Sequence, residues 1–321
     1  SGKLLRPLGD LEFEDAVSLF AQVVRAGEAA GADCILVETM GDTYELKAAV
    51  LAAKENSGLP VFASVTLNEK KKLLTGGDIA AVVALLEGLR ADAIGVNCGM
   101  GPRELLEAVE ELSSLSSTPI FLQPNAGLPA VRDGVTRFDV GPEEFAALMA
   151  EMPALGACML GGCCGTTPEH IRALIHACQG TALIPVTKKD LTLVSSYGKG
   201  VLLGNDPVMA GECINPNGGK DMREAIRGRD MEFILRAALA QQECGAATLD
   251  VNVGLPGIDE PALLCDVVRA VQSVCDLPLQ LDTSNMEALA QSARIYNGKP
   301  MINSVNGKPE SMHGVFPIMQ K

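Results

Sequence analysis

The stretch MLGGCCGTTPEH (159–170) ends an apolar run in two glycines, two adjacent cysteines and a third glycine, and then begins a helix-like segment. Adjacent cysteines rarely pair with each other, because a disulfide needs Cα separations and Cβ directions that neighbours reach only with strain. Cys163 and Cys164 are therefore either two small core residues or two ligands directed at one point.

The same order of a short aliphatic run and a helix-like segment repeats through the first part of the chain. In the helix-like segments apolar residues recur at intervals of three and four, as at Leu105, Val109 and Leu112. Strands that alternate with such helices are typical of βαβ units and a parallel sheet. The five predicted strands are 32–39, 59–67, 91–98, 118–127 and 157–165.

The rhythm is interrupted after a helix predicted at 171–180. Residues 181–200 show no clear period and are interpreted as an interdomain linker. The alternation then resumes, with four more strands predicted at 201–209, 247–254, 277–285 and 300–307. This pattern divides the chain into residues 1–180, a linker over 181–200, and residues 201–321.

Composition limits the class of protein and its partners. The net charge of −14 without a basic patch argues against a nucleic-acid or anionic-membrane partner. No run of 18 apolar residues predicts a membrane helix. Ten cysteines without an export signal favour free thiols in a reducing compartment, so a cytoplasmic location is expected.

Polar residues follow the predicted strands, at the edge where a parallel α/β barrel gathers its chemistry. Cys98 and the pair Cys163–Cys164 fall on this edge with a single strand between them, so three thiolates could converge there. Three thiolates with one open position form a catalytic zinc pattern, whereas any single cysteine is more often a core residue. The core interpretation is kept for Cys34, Cys158, Cys178, Cys244, Cys265 and Cys275, and Cys213 is left open.

Several motifs resemble known families. GVNCGMGP (95–102), PNAGLP (124–129) and GGCCGTTPEHI (161–171) closely resemble the zinc-dependent homocysteine S-methyltransferases. In the second part, four motifs resemble the pterin-binding methyltransferase barrel. Both sets occur in this order in the family of cobalamin-dependent methionine synthases. The pterin motifs are GECINPNGG (211–219), LDVNVG (249–254), LDTSN (281–285) and INSVNG (302–307).

The resemblance implies an α/β fold of two (β/α)8 TIM-barrel domains, each incomplete in this chain, with about five strands and then about four. It also implies an internal fragment of a larger protein that is inactive by itself. In such a cut barrel, Val37, Val65, Val96 and Leu122 are expected to point inward, towards a side that the absent strands would cover.

The resemblance further implies that Cys98, Cys163 and Cys164 hold Zn²⁺, with the sulfur of homocysteine in the fourth position. Glu38 matches the acid that binds the ammonium group of this substrate. An alternative interpretation of Glu38 is a carboxylate at a helix N-terminus.

For the pterin ring, Asp282 and Asn303 match hydrogen-bonding residues of the family, and Asp250, Asn252 and Asn215 are expected to assist. Their alternative interpretation is strand-end capping, for which Asp and Asn are common. The family usually has Arg after Gly-Glu, where this chain has Cys213, so a charged side chain is missing there.

The implied function is transfer of a methyl group from 5-methyltetrahydrofolate, through cobalamin, to zinc-bound homocysteine. The product is methionine, and cobalamin is bound by a module absent from this chain. Two alternatives remain open. One is a zinc-dependent homocysteine S-methyltransferase that uses another donor, and the other is a non-catalytic zinc- or folate-binding protein.

Overall fold

The computed structural model describes residues 2–132, 134–204 and 206–320. The chain forms two compact units, residues 1–190 and residues 191–321. In the described residues no helix combines the length and the apolar content that a membrane span requires.

The first unit is built on a five-stranded parallel sheet with the order β1-β2-β3-β4-β7. The predicted alternation of parallel strands and helices is therefore confirmed. Strands β5 and β6 form a separate antiparallel hairpin between β4 and α5. The elements are α1 Phe13–Ala29, β1 Ile35–Met40, α2 Thr43–Asn56, β2 Val61–Val65, α3 Ile79–Gly88, β3 Ala93–Asn97, α4 Pro102–Leu115, β4 Ile120–Gln123, β5 Pro129–Arg132, β6 Val135–Phe138, α5 Pro142–Met149, β7 Ala157–Leu160 and α6 Pro168–Ala177.

The helices begin where the sequence supplies N-terminal signals. The Asp42 side chain accepts hydrogen bonds from the first backbone N–H groups of α2, and Asp78 does the same for α3. A proline opens α4, α5 and α6, where its missing N–H costs nothing because that group has no intrahelical acceptor.

The expectation that Val37, Val65, Val96 and Leu122 point towards an uncovered side is wrong. All four are buried, at 7% exposure or less, because they lie on the face of the sheet that the helices cover. The alternate residues of the strands occupy the other face. This open face includes Leu36, which is 44% exposed.

A glycine shapes the packing of the open face. Phe121 on β4 pairs in register with Gly95 on β3, and a Cβ atom at Gly95 would lie 2.5 Å from the Phe121 ring. The absent side chain therefore lets the ring lie across β3. There it reaches Phe62 on β2, with a distance of 6.0 Å between the ring centroids.

The second unit is built on a four-stranded parallel sheet with the order β10-β11-β12-β13. A second antiparallel hairpin, β8–β9, precedes it. Neither sheet closes into a barrel within the described residues. The elements are β8 Thr192–Ser195, β9 Gly200–Leu203, β10 Ala210–Ile214, α7 Lys220–Gly228, α8 Met231–Glu243, β11 Thr248–Val251, α9 Glu260–Gln272, β12 Leu279–Asp282, α10 Met286–Ile295, β13 Met301–Asn303 and α11 Pro309–Met319.

The hairpin corrects two sequence-based boundaries. The last part of the predicted linker, 181–200, contains β8, and the strand predicted at 201–209 is divided. Its first residues belong to β9, and the first strand of the parallel sheet begins only at Ala210. The sequence analysis missed the hairpin because two four-residue strands around a polar turn are too short to show a period of two.

Tyr296 fixes the hairpin to the second unit. Its side chain is fully buried, and its hydroxyl donates a hydrogen bond to the Ser195 carbonyl oxygen, 2.8 Å away. The same hydroxyl accepts one from the Leu279 N–H at 3.0 Å. Burial raises the pKa of Tyr296, so the phenol stays neutral and can serve as both donor and acceptor.

We expect Tyr296→Phe to lower the free energy of unfolding of the full chain by about 1–3 kcal/mol, because the buried Leu279 N–H loses its acceptor and the Ser195 carbonyl oxygen loses one donor and keeps the Lys299 N–H. Urea denaturation measures the change. Ser273→Ala, at an exposed site after α9, is the control and should fall within about 0.5 kcal/mol of the wild type. Equal losses in the two variants would contradict the role of the phenol.

Candidate metal centre and polar strand-end site

Three thiols converge at the carboxyl edge of the first sheet. Cys98 follows β3, and Cys163 and Cys164 follow β7, with β4 between these strands. The Sγ atom of Cys164 lies 3.8 Å from that of Cys98 and 3.9 Å from that of Cys163. All three sulfurs lie within 4.8 Å of one another.

The intervening strand β4 holds both cysteine segments through backbone hydrogen bonds. The Cys98 N–H donates to the Gln123 carbonyl oxygen at 3.0 Å, and the Cys163 N–H donates to that of Pro124 at 2.8 Å. The positions of the two cysteines are therefore set from opposite sides of one strand that carries no thiol.

The backbone of Cys164 is held by Asn125 and Ala126, the two residues that follow Pro124. The Asn125 Oδ1 accepts from the Cys164 N–H at 3.1 Å, and the Ala126 N–H donates to the Cys164 carbonyl oxygen at 2.9 Å. Gly165 has a φ of +81°, and a Cβ atom there would lie 2.3 Å from the Phe138 ring of the β5–β6 hairpin. A glycine is thus required for the turn and for the contact with the hairpin.

Cys98 has an unusual backbone conformation, with a φ of +58°. The next residue, Gly99, also has a positive φ, and a Cβ atom there would lie 2.6 Å from the Leu67 carbonyl oxygen. A left-handed non-glycine residue is uncommon, and such residues concentrate at functional sites. This turn sets the direction of the Cys98 side chain.

The donor set fits a thiolate-binding cation. A hydrogen bond with Cys98, burial and the neighbouring Cys163 raise the pKa of Cys164 to about 11. At neutral pH the thiol therefore stays protonated unless a positive charge offsets the crowding of sulfurs. Soft thiolate ligands at this spacing suit Zn²⁺.

Glu38 lies near the carboxyl end of β1, at the same edge of the sheet as Cys98, and its side chain is exposed. No hydrogen bond or ion pair engages its carboxylate within the described residues. The alternative interpretation as a helix-terminal carboxylate is disfavoured, because Asp42 supplies the cap of the following helix. Glu38 is therefore free to bind a ligand.

The other cysteines are less buried than expected. Of the six assigned to the core, only Cys265 and Cys275 are buried, whereas Cys34 and Cys244 are exposed. The expectation was wrong for these two because they lie at the ends of elements, just before β1 and just after α8. Cys158 and Cys178 are half-buried, and Cys213 is exposed.

In the second unit, four of the five predicted pterin residues form two hydrogen-bonded pairs. The Asn252 Nδ2 donates to Asp282 Oδ2 at 2.9 Å, and the Asn303 Nδ2 donates to Asp250 Oδ2 at 3.1 Å. Register pairs Asp282 with Asn303 on neighbouring strands. The four side chains thus share the carboxyl edge of three adjacent strands, β11, β12 and β13.

Asp250 is the most buried of these residues, at 3% exposure. Its Oδ2 also accepts a hydrogen bond from Gln280, whereas no group in the described residues donates to its Oδ1. Burial raises the pKa of Asp250, and the negative charges of Asp282 and Glu212 raise it further. The hydrogen bonds from Asn303 and Gln280 lower the pKa but do not cancel this rise. A buried acceptor without a donor is suited to a ligand N–H.

The fifth residue, Asn215, is buried but has a local role. Its Oδ1 accepts from the Asn217 N–H at 2.9 Å, and no bond in the described residues joins it to the two pairs. Nearby, the Cys213 N–H donates to the Gln241 Oε1 at 2.8 Å, and the Cys213 side chain contributes no charge.

Two functional neighbours escaped the sequence analysis. Gln280 stands two residues before Asp282 in an otherwise apolar strand, so the period of two could have placed it on the same face. Asn97 stands directly before Cys98 and is fully buried, with a side chain that bonds to three other segments. No pattern within the neighbouring sequence predicts those contacts.

We expect Cys164→Ser to weaken Zn²⁺ binding by more than about a hundredfold, because the loss of a ligand exceeds the usual effect of changing its supporting residues. Competition with a chromophoric chelator measures the affinity. Cys178→Ser changes a half-buried thiol at the end of α6 and should leave binding unchanged. Equal losses in both variants would remove the metal assignment.

We expect Asp250→Asn to raise the stability of the full chain at pH 7, because the amide retains an acceptor for Asn303 and removes a buried charge. The folded-state pKa of Asp250 is raised, so ionisation costs stability as the pH rises from the unfolded value towards the folded one. The advantage of the variant should shrink as the pH falls towards 3.8.

Urea denaturation of both proteins at a series of pH values checks this prediction. A gain that persists undiminished at low pH would show that the charge of Asp250 is not its cause. Asp266→Asn, on the exposed face of α9, is the control and should give no comparable pH-dependent gain.

Two family models match this chain, one within each unit. The family model described as homocysteine S-methyltransferase matches residues 2–178, and the one described as pterin binding enzyme matches residues 211–319. The methionine synthase of Mycobacterium leprae (strain TN) is 34% identical over 320 residues, which cover 95% of this chain and 26% of the relative.

The chain is also similar to a second curated methionine synthase and to a solved homocysteine methyltransferase. The methionine synthase of Mycobacterium tuberculosis (strain ATCC 25618 / H37Rv) is 34% identical over 316 residues, which cover 95% of this chain and 26% of the relative. The chain thus spans about a quarter of the length of both curated relatives. The apo crystal structure of the homocysteine methyltransferase MmuM from Escherichia coli aligns with a TM-score of 0.44 at 27% identity, over 52% of this chain and 58% of that chain.

The first matched region alone covers more than half of the 321 residues, and it contains all three of the converging cysteines. The chain therefore belongs to the homocysteine S-methyltransferase family.

Proposed function

We propose that this chain takes part in the transfer of a methyl group from 5-methyltetrahydrofolate, through cobalamin, to the thiolate of homocysteine, which gives methionine. The observation that carries the proposal is the convergence of Cys98, Cys163 and Cys164 within 4.8 Å at one strand edge. The pterin-type second region, residues 211–319, accounts for the choice of donor. In this proposal cobalamin is carried by a module outside the two matched regions.

Cys98, Cys163 and Cys164 would hold Zn²⁺ through three thiolates and leave the fourth position for the homocysteine sulfur. A zinc ion bound there supplies Lewis acidity, which keeps that sulfur a thiolate at neutral pH. The hydrogen bonds from β4 and its following residues fix the backbone of all three cysteines, so the donor geometry is set before substrate arrives.

Glu38 is proposed to bind the ammonium group of homocysteine. Its carboxylate is exposed and lies at the same strand edge as the thiols. An anionic group that no other described residue engages can pair with a cation without breaking an internal contact. Substrate would then be held at both ends, by its sulfur and by its ammonium group.

In the second unit, Asp282, Asn303, Asp250 and Asn252 are proposed to bind the pterin ring. The amino-pyrimidinone edge offers N–H donors to carboxylates and both donors and acceptors to amides. The Asp250 Oδ1 has no donor within the described residues, so a ring N–H would satisfy it. Asn215 is proposed to assist by donating from its Nδ2, because its Oδ1 already accepts a hydrogen bond from the Asn217 N–H.

The two parallel sheets are proposed to be parts of (β/α)8 barrels, one for each matched region. Supporting this, the candidate residues of both units gather at the carboxyl ends of parallel strands, where barrel enzymes place their sites. The boundary between the units is placed near residue 190, because the β8–β9 hairpin belongs to the second unit.

A crossed experiment on the full chain tests the proposal. We expect Cys164→Ser to lose Zn²⁺ and homocysteine binding but to retain 5-methyltetrahydrofolate binding. Asp282→Ala should do the reverse, with folate binding weakened about ten- to a hundredfold by the loss of a charged hydrogen bond. The two effects should not mix, because the residues belong to different units. Asp266→Ala, on α9, is the control for the second variant.

Calorimetry measures folate affinity, and X-ray absorption at the zinc edge measures homocysteine capture. Selenohomocysteine should add a selenium neighbour to a zinc ion held by sulfur ligands at about 2.3 Å. Zinc with selenium but no folate binding would favour a different methyl donor. Zinc without selenium would favour a purely structural metal.

A further inference from the structure

Asn97, the last residue of β3, lies at the centre of a buried polar network beside the thiols. Its side chain is fully buried. The Oδ1 accepts hydrogen bonds from the Thr39 N–H at 3.0 Å and from the Ser64 hydroxyl at 2.8 Å. The Nδ2 donates to the Thr39 hydroxyl at 2.6 Å and faces the Cys163 sulfur at 3.9 Å.

These contacts fix which end of the amide faces the sulfur. A backbone N–H can only donate, so the group that meets the Thr39 N–H must be the amide oxygen. The nitrogen then necessarily points towards Cys163. An amide offers two donors and two acceptor positions, and all four are used here. No rotation of Asn97 preserves the network and removes the donor from the sulfur.

A metal-bound thiolate is an acceptor only, so an amide N–H is a matched neighbour for Cys163. Groups that hydrogen-bond to metal ligands orient them and tune their charge. Asn97 contacts this one thiol, and the other two are positioned through the backbone bonds of β4 and its following residues.

The other end of the amide controls the strand that carries Glu38. Thr39 has a φ of +61°, a conformation that β-branched residues rarely adopt. The register between β1 and β2 shifts between Val37 and Met40, which is a bulge. Bulges redirect side chains beside active sites. Here Glu38 and Thr39 are both exposed within the bulge, and the bonds from Asn97 hold Thr39 in place.

We propose that Asn97 is a positioning residue that connects the two ends of the homocysteine site. Its Nδ2 orients the Cys163 sulfur, and its Oδ1 and Nδ2 together bind Thr39 and so hold the bulge that aims the Glu38 carboxylate. This inference rests on the proposed function for the identity of the substrate. Its metal-facing half depends only on the three thiols.

The test uses Co²⁺ and Zn²⁺ with the full chain and three variants. Asn97→Asp retains the acceptor for the Thr39 N–H and the Ser64 hydroxyl but loses the donors to the Cys163 sulfur and to the Thr39 hydroxyl. Asn97→Ala removes the acceptor and both donors. Ser64→Ala is the matched control, because it breaks a bond to the same buried oxygen without touching a thiol. Circular dichroism confirms that each variant is folded at the temperature used.

We expect both Asn97 variants to weaken Zn²⁺ binding by about ten- to a hundredfold and to shift the sulfur-to-Co²⁺ charge-transfer absorption. Ser64→Ala should change neither, although it lowers the denaturation temperature. With saturating zinc, both Asn97 variants should also bind homocysteine at least about tenfold more weakly, the lower end of that range.

The inference is overturned if Ser64→Ala shifts the absorption and the affinity as much as the Asn97 variants do, since a general structural role would then explain both. It is equally overturned if the Asn97 variants bind metal with wild-type affinity and spectrum. If the wild-type chain with Co²⁺ shows no sulfur-to-Co²⁺ charge-transfer absorption, the proposed function and this inference are both contradicted. A normal wild-type spectrum with indifferent Asn97 variants removes the inference alone.

Discussion

The hydrogen bonds of β4 and its following residues are the interaction on which the candidate metal centre depends. This strand carries no thiol, yet one side of it bonds to the Cys98 segment and the other side to the segment of Cys163 and Cys164. Parallel strands of one sheet end at a common edge, so residues 66 positions apart in the chain come within 3.8 Å. The site is therefore a consequence of strand order before it is a consequence of side-chain chemistry.

The two units treat buried charge and polarity differently. In the first, the polar network around Asn97 is saturated, and each of its hydrogen-bonding positions has a partner. In the second, Asp250 is buried with one oxygen that no described residue satisfies. A saturated network stabilises a fixed geometry, whereas an unsatisfied acceptor costs stability until a ligand arrives. Metal ligands benefit from the first arrangement and a planar ring from the second.

Much of this architecture could be predicted from the sequence. The aliphatic runs predicted the parallel strands. The single strand between Cys98 and the pair Cys163–Cys164 predicted that the three thiols converge. The direction of Val37 and Val65 could not be predicted, because both faces of the sheet carry apolar residues and only the position of the helices tells them apart. The β8–β9 hairpin was missed because its strands have four residues each.

The network of Asn97 could not be predicted either, because it joins residues from β1, β2, β3 and the turn after β7. Its effect depends on the bulge at Thr39, and a bulge in one strand is defined only by its partner strand. Sequence patterns report periodicity within a segment, while this contact is made across four segments. Residues of this kind become visible only when the strands are assembled.

Because Gly95 has no side chain, the packing beside the candidate metal centre depends on the volume of the residue at this position. The Phe121 ring occupies the space above it, directly below the row in which Asn97 pairs with Gln123. A methyl group at Gly95 would not fit beneath the ring, so a substitution that adds no charge and removes no ligand would change the packing next to these amides. Gly95 therefore supports the packing beside the thiols through the side chain that it lacks.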